Sequence, residues 1–241
     1  TTILSRQGRI RADRTYRVLS AAIRKRTGNL HDELHFLRKQ FREFTAAHGE
    51  ATSPLFTDFS PELVIVIPAG SSLSDPDTLM SIACSGVNSN LRIGIGPETD
   101  VLHLYDSYAQ ASSVLQVLRA IPNLGPCSTW EGLGVYGNLA LLTRNQEDTQ
   151  FPLTPGIAAL REEDPTLFET LERFLDNAGN IAKTSGELCI HRSTLYYRLK
   201  RITDITGTDL NSGLDRFTLH LEFKLFRITS AFLGDGEPSP A

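Results

Sequence analysis

Residues 190–202 read Ile-His-Arg-Ser-Thr-Leu-Tyr-Tyr-Arg-Leu-Lys-Arg-Ile. In a helix, Leu195, Leu199 and Ile202 form one apolar stripe at spacings i, i+4 and i+7. The other side carries Arg, Lys, Tyr, His and Ser, and no acidic residue occurs between residues 188 and 203. A shorter helical pattern over residues 181–188 precedes it, with a three-residue joint at residues 189–191. Two helices joined by a tight turn, the second with a basic outer face, are typical of a helix-turn-helix.

The outer face of this second helix supplies the candidate DNA-binding residues. They are His191, Arg192, Ser193, Thr194, Tyr196, Tyr197, Lys200 and Arg201. Arg192 is predicted to pair with guanine, because the first residues of a recognition helix enter the major groove. Thr194, Tyr196 and Lys200 are better placed for phosphates. An amphipathic helix whose charges only face water is the alternative. Either Tyr196 or Tyr197 could equally be a packing residue of the core.

Bulk composition limits the class of protein. The formal net charge of −4 excludes a bulk polyanion binder, so the basic charge that matters is local. No apolar run approaches the roughly 18 residues that span a bilayer, and no signal peptide is evident, so we expect no membrane partner. Three widely spaced cysteines, Cys84, Cys127 and Cys189, favour a reducing cytoplasm and small buried side chains. We expect no cofactor.

The sequence divides into a region of mixed strands and helices and a region of helices alone. Before residue 150, strands are predicted at residues 16–23, 62–68 and 91–96, and helices at 32–48, 75–87 and 104–120. Residues 133–142 fit an edge strand or a short helix. These elements predict an α+β domain over residues 14–150, with helices on one face of the sheet. Four helices are then predicted over residues 166–233, flanked by linkers at 1–13 and 151–165 and a disordered tail at 234–241.

The helical region resembles the C-terminal helix-turn-helix of the PucR/CdaR family of bacterial transcription regulators. The markers are His191-Arg192-x-Thr194-Leu195-x-Tyr197-Arg198-Leu199, the exit Gly207-x-Asp209-Leu210, and Arg216. Ser185 departs from the alanine usual in the family, but it is also small. The motif Arg92-Ile-Gly-Ile-Gly96, followed by Ser107-Tyr108-x-x-Ala111, is similar to the family's GGDEF-like domain. The resemblance implies a degenerate, ferredoxin-like GGDEF domain before an all-α DNA-binding domain, and DNA contacts by Arg192, Thr194, Tyr196 and Tyr197.

An enzyme is not expected. A nucleotide cyclase of the GGDEF kind needs a glycine pair in its hairpin and a metal-binding acid on the first strand. The hairpin over residues 57–62 reads Thr-Asp-Phe-Ser-Pro-Glu, and residues 16–23 carry no acid. His31 and His35 share the spacing of a zinc motif but are interpreted as a solvated helix face. Gly94-x-Gly96 lacks the third glycine of a dinucleotide loop.

The last helix carries two apolar stripes, which predicts burial on two sides. Leu219, Phe223, Phe226 and Leu233 form one; Leu214, Phe217, Leu221, Leu225, Ile228 and Phe232 form the other. One should cover the helix-turn-helix, and the other should meet the first domain or a second subunit. We therefore expect a cytoplasmic, sequence-specific regulator that binds double-stranded DNA as a homodimer. A ligand-sensing or protein-interaction module whose helix-turn-helix docks a protein is the alternative.

The chain starts at Thr1 and not at Met, which favours a fragment of a longer protein. A small-molecule effector would then act through regions absent from this chain.

Overall fold

The computed structural model of the chain describes residues 10–23, 30–47, 54–59, 62–75, 77–79, 91–144, 151 and 153–232. The chain forms two compact units, Thr1–Asn145 and Gln146–Ala241. Most of the predicted 75–87 helix, residues 1–9 of the first predicted linker and the tail at 234–241 lie outside the described residues. Residue Ile10, near the end of that linker, is buried, and the amide of Arg11 donates to the Tyr16 hydroxyl at 2.7 Å.

The first unit is built on a five-stranded sheet in the order β2-β3-β1-β4-β5. The strands are β1 (Tyr16–Ile23), β2 (Leu55–Phe59), β3 (Glu62–Pro68), β4 (Leu91–Thr99) and β5 (Cys127–Thr129). β1 pairs antiparallel with both β3 and β4, while β4 and β5 run parallel. The bounds predicted for β1 and β3 are confirmed; β2 and β5 were not predicted as strands.

Helices cover both faces of this sheet, so the prediction of helices on one face is wrong. They are α1 (Leu30–Ala47), α2 (Leu104–Ala120) and α3 (Val135–Arg144). Leu37 and Phe41 of α1 pack with Leu19 and Ile65 on one face. α2 lies on the opposite face, where Gly94 of β4 meets its backbone. Side chains alternate along a strand, so continuous apolar runs such as residues 63–67 supply both faces.

The two glycines of β4 allow α2 to approach the sheet closely. A Cβ atom on Gly94 would lie 2.0 Å from the carbonyl oxygen of Ala111, and one on Gly96 would lie 2.2 Å from that of Ser107. Any side chain at either position would push the helix away from the strand. The motif quoted above for the GGDEF-like domain is therefore a packing motif, in which glycines on the strand face small residues on the helix.

β4 continues to Thr99, beyond the end predicted at Gly96-Pro97. Proline has no amide hydrogen for the ladder, and the pairing of β1 with β4 shifts register between Arg17 and Leu19. At this bulge the Ser107 hydroxyl accepts from the amide of Val18 at 3.1 Å and donates to the carbonyl of Pro97 at 2.8 Å. Ser107 thus replaces the missing ladder bond, which lets the strand pass through a proline.

The described residues of the second unit form five helices, with α4 in the predicted linker over residues 151–165. The helices are α4 (Pro155–Glu163), α5 (Pro165–Asp176), α6 (Ile181–Glu187), α7 (Arg192–Thr206) and α8 (Gly213–Phe232). Ile157 and Leu160 of α4 are buried in one core with Leu199 and Phe223, so α4 belongs to this unit. The linker predicted over these residues is therefore wrong, because prolines and acidic residues also fit the ends of helices. Pro155 and Pro165 instead occupy first helical positions, where a proline ring fits.

The other predicted helices of this unit agree closely with the structure. Asn180 caps α6 by accepting from the amide of Lys183, as predicted. Gly207 ends α7 with φ +69, as predicted for a left-handed residue after a helix. Residues 133–142, left open between strand and helix, fall mainly in helix α3.

Candidate nucleic-acid interface

The turn between α6 and α7 is closed by backbone hydrogen bonds. Cys189 has a left-handed φ of +53, and the amide of Ile190 donates to the carbonyl of Ser185 at 3.0 Å. Ser185 is buried, so its small size lets the two helices approach. Cys189 itself is exposed, which contradicts the prediction that it is buried; Cys127 is buried, and Cys84 lies outside the described residues.

The predicted apolar stripe of α7 anchors the helix in the core. Leu195 and Ile202 are 0% exposed and Leu199 is 8% exposed. They pack with residues of α4, α5 and α8, and Ile181 and Ile190 cover the edge of the same core. Recognition needs such an anchor, because a reading side chain is useful only on a helix with a fixed orientation.

All eight predicted DNA-binding side chains are exposed on the outer side of α7. Tyr196 and Tyr197 are 59% and 65% exposed, so the alternative in which one of them packs in the core is excluded. Of the basic residues of α7, only Arg198 points inward, where its Nη1 donates to the Thr170 hydroxyl of α5 at 3.0 Å. The outer face thus combines Arg192, Lys200 and Arg201 with hydroxyl and phenol groups, without a carboxylate on the first three turns.

His191 is exposed but also caps the start of α7. It is the N-cap of α7, where its Nδ1 accepts from the amide of Ser193 at 3.3 Å and lies 2.8 Å from the Ser193 hydroxyl. This contact fixes the first turn of the helix, which carries Arg192. Nδ1 is occupied by the cap, so only the rest of the imidazole is open to a ligand.

Polar contacts join α8 to α5 and complete the support of the recognition helix. Glu172 binds Arg227 through two hydrogen bonds of 3.1 and 2.6 Å. Asp176 accepts from His220 at 2.8 Å and forms an ion pair with Lys224 at 2.5 Å. Burial opposes the charge of Asp176, but the hydrogen bonds from His220 and Lys224 outweigh it and hold its pKa below the ordinary value.

The two predicted stripes of α8 have different surroundings. Leu219, Phe223 and Phe226 lie in the core of the second unit, as predicted for the stripe that covers the helix-turn-helix, whereas Leu233 lies outside the described residues. In the second stripe, Leu225 and Ile228 are buried. Leu214 and Phe217 are 73% and 64% exposed, so the start of α8 presents an uncovered apolar surface.

Arg216 was not among the predicted site residues. Its side chain extends from α8 to the turn between α5 and α6, where a Cβ atom on Gly179 would lie 2.6 Å from its Nη1. A contact between residues so far apart in the sequence has no local signal in one sequence. The only local feature in the sequence that agrees with this contact is the glycine just before the N-cap Asn180.

The described residues offer no site for a metal and no membrane span. Groups of three or more His, Cys, Asp or Glu side chains that could hold a metal are absent from them. His35 is exposed, and the side chain of His31 lies outside the description. Among the described helices, none is both long enough and apolar enough to cross a membrane.

Comparison with known proteins gives two family matches. Residues 167–225 match the PucR C-terminal helix-turn-helix domain, and residues 4–117 match the GGDEF-like domain. α4 lies outside both matches, although it shares the core of the second unit.

Three of the curated relatives that match this chain are named as transcriptional activators. The chain is 33% identical over 123 residues to the DNA-binding transcriptional activator AdeR of Bacillus subtilis, covering 49% of this chain and 29% of that protein. It is 32% identical over 137 residues to the transcriptional activator PmfR of Paenarthrobacter nicotinovorans, covering 56% of this chain and 28% of that protein. It is 30% identical over 141 residues to the proline-responsive transcriptional activator PutR of Bacillus subtilis, covering 56% of this chain and 34% of that protein. The chain thus spans about a third or less of the length of these relatives.

Proposed function

We propose that this chain, as a member of the PucR-type transcription regulators, binds double-stranded DNA sequence-specifically through the outer face of α7. The observation that carries the proposal is the division of α7. Its stripe of Leu195, Leu199 and Ile202 is buried, whereas the eight residues predicted for DNA contact are exposed together. A helix held this firmly can place Arg192 in a major groove and its other basic side chains against the DNA.

Each exposed residue of α7 has a proposed role. Arg192, on the first turn, is proposed to donate two hydrogen bonds to a guanine edge. Thr194, Tyr196 and Lys200 are proposed to bind phosphates, which fix the register of the helix without reading sequence. His191, Ser193, Tyr197 and Arg201 complete the surface, His191 partly through its cap on the first turn.

Two substitutions separate the reading role from the positioning role. Against an operator selected from a random-sequence pool, Arg192→Ala is expected to lose about 1–3 kcal/mol of discrimination at one base pair. Lys200→Ala is expected to weaken all duplexes alike and to lower the salt slope of binding by about one. Fluorescence anisotropy against salt concentration measures both quantities.

The same titration tests DNA binding itself. A DNA-binding surface loses affinity steeply with salt, because each phosphate that it neutralises releases counterions. A flat salt response would favour the alternative in which the helix-turn-helix docks a protein. Equal effects of Arg192→Ala and Lys200→Ala on every duplex would contradict the assigned roles.

The GGDEF-like domain is proposed to be regulatory and without catalysis. Its hairpin lacks the glycine pair, and the carboxylate of Glu62 at that hairpin is already engaged. It accepts from the Ser20 hydroxyl at 2.5 Å and from the Ser112 hydroxyl at 3.1 Å. We also propose a cytoplasmic location and control by a small-molecule effector, as the name of the proline-responsive relative indicates for that protein.

A homodimer is proposed, with Leu214 and Phe217 in its interface. Symmetric operators are read by symmetric dimers, and these two side chains are exposed three residues apart on α8, where they form one apolar surface. Light scattering after size exclusion should give a mass that rises from one chain towards two with concentration. Phe217→Glu should hold the protein at one chain, whereas Tyr105→Glu, which removes an aromatic from α2 that is even more exposed, should not. A wild-type monomer at all concentrations would contradict the proposal.

A further inference from the structure

Arg216 lies at the entrance to the helix-turn-helix. It is in the first turn of α8, and its guanidinium covers the turn at Ala178 and Gly179 that leads from α5 into α6. Gly179 has φ +80, a conformation that glycine adopts without strain. The absence of a side chain there also leaves room for the guanidinium, since a Cβ atom would lie 2.6 Å from Nη1.

This guanidinium has no acceptor within the part of the chain that the structure describes. Several other arginines of the second unit contact a partner side chain: Arg161 lies over Phe226, and the pairs Arg173 with Glu169, Arg198 with Thr170 and Arg227 with Glu172 are polar. Arg216 is half-buried, yet its side chain forms neither an ion pair nor a hydrogen bond there. Its nitrogens are not among the buried polar atoms, so they are open to a ligand. Hydrogen bonds between a guanidinium and an anion are stronger than those between neutral groups, so an anion is the partner that fits it.

The neighbouring groups do not supply that anion. Asp215, next to Arg216 in the sequence, accepts from the amide of Asp209 at 2.9 Å and from the Ser212 hydroxyl at 3.1 Å. The end of α5 could attract a cation through its carbonyl groups. Its last turn is already closed, because the amide of Gly179 donates to the carbonyl of Phe174 at 2.9 Å.

The position of Arg216 relative to α6 indicates which anion would bind. In a helix-turn-helix complex the recognition helix lies in the major groove, while the first helix of the pair crosses the sugar-phosphate backbone. α6 is that first helix, and Arg216 sits over the turn that leads into it. We propose that Arg216 binds a DNA backbone phosphate beside the start of α6 and so forms a second anchor, supplied by α8. This inference rests on the proposed DNA-binding function.

The proposal has a direct test in anisotropy titrations of the whole chain against salt, with a mixed-sequence duplex as probe. Arg216→Gln should lower affinity about tenfold at low salt and reduce the salt slope by about one, equally for every sequence. Arg216→Lys keeps the positive charge and should retain the slope. Lys39→Gln removes the same charge from an exposed position on α1, paired only with Glu43, and should change neither quantity.

The possible outcomes separate this proposal from a purely structural role and from failure of the proposed function. If Arg216→Gln lowers the melting temperature but leaves the salt slope unchanged, Arg216 only packs on the turn and the proposal fails. If Arg216→Gln does not fold, a loss of slope in the folded Arg216→Lys protein overturns the proposal, and a retained slope together with loss of affinity for duplexes with neutral phosphates supports it. If the wild-type protein shows no salt-dependent binding, the proposed DNA-binding function itself fails.

Discussion

Gly94→Ala is expected to lower the stability of the first unit by about 3 kcal/mol or more. This is a large effect for the replacement of one hydrogen atom by a methyl group. The new Cβ atom would lie 2.0 Å from the carbonyl oxygen of Ala111 and 2.7 Å from the amide nitrogen of Leu115. Both are backbone atoms of α2, so no side-chain rotation relieves the clash. The helix must move away from β4, and the buried contacts of Val114 and Leu118 are lost with it.

Denaturant unfolding followed by circular dichroism measures this loss. Gly213→Ala is the matched control, because no atom lies within 4 Å of its new Cβ atom and it starts α8 without a positive φ. The control should be neutral or slightly stabilising, since alanine favours a helix more than glycine does. A Gly94→Ala protein as stable as the control would show that α2 and β4 do not approach as closely as described.

Elements with a strong local pattern were predictable from the sequence. β1 follows from a short apolar-leaning stretch, β3 from a continuous β-branched run, and α2 from a helix closed by a proline. Their predicted bounds agree with the structure. α7 was predictable because its apolar stripe and its basic face occupy separate sides. The exposure of its candidate residues follows from the same periodicity except at Tyr196 and Tyr197, for which the sequence left a core position open and which the structure exposes.

Features that depend on distant contacts were not predictable. β2 and β5 are short strands that are defined by pairing with β3 and β4, which a single sequence does not reveal. The continuation of β4 through Pro97 depends on Ser107 of α2, and the placement of α4 depends on the core that Ile157 and Leu160 enter. Arg216 was missed for the same reason, because only the folded chain brings it to Gly179.

Asp176→Ala is expected to destabilise the second unit by about 3–5 kcal/mol. Lys224 keeps 9% of its side-chain surface exposed, and its ammonium group forms an ion pair with Asp176 at 2.5 Å. Removing the carboxylate leaves a buried positive charge without a partner and also takes the acceptor from His220. This loss loosens α8 from α5, the two helices whose ends meet at Arg216, so DNA affinity should fall together with stability.

The effect should depend on pH with a definite sign. The pKa of Asp176 is lowered in the folded protein. Its charge therefore stabilises the fold at every pH above the ordinary aspartate pKa of 3.8. That stabilisation disappears as the pH falls through the lower, folded value. The difference in unfolding free energy between wild type and Asp176→Ala should therefore be largest near neutral pH and should shrink in acid.

A surface ion pair on the same helix provides the control. Glu169 lies 4.0 Å from Arg173, and both side chains are about half exposed, so Glu169→Ala should cost less than about 1 kcal/mol. Replacing both charges, in Asp176→Leu with Lys224→Met, should recover most of the stability, because no unpaired charge remains buried. Equal losses for Asp176→Ala and Glu169→Ala, or no recovery in the double variant, would contradict a buried ion pair between α5 and α8.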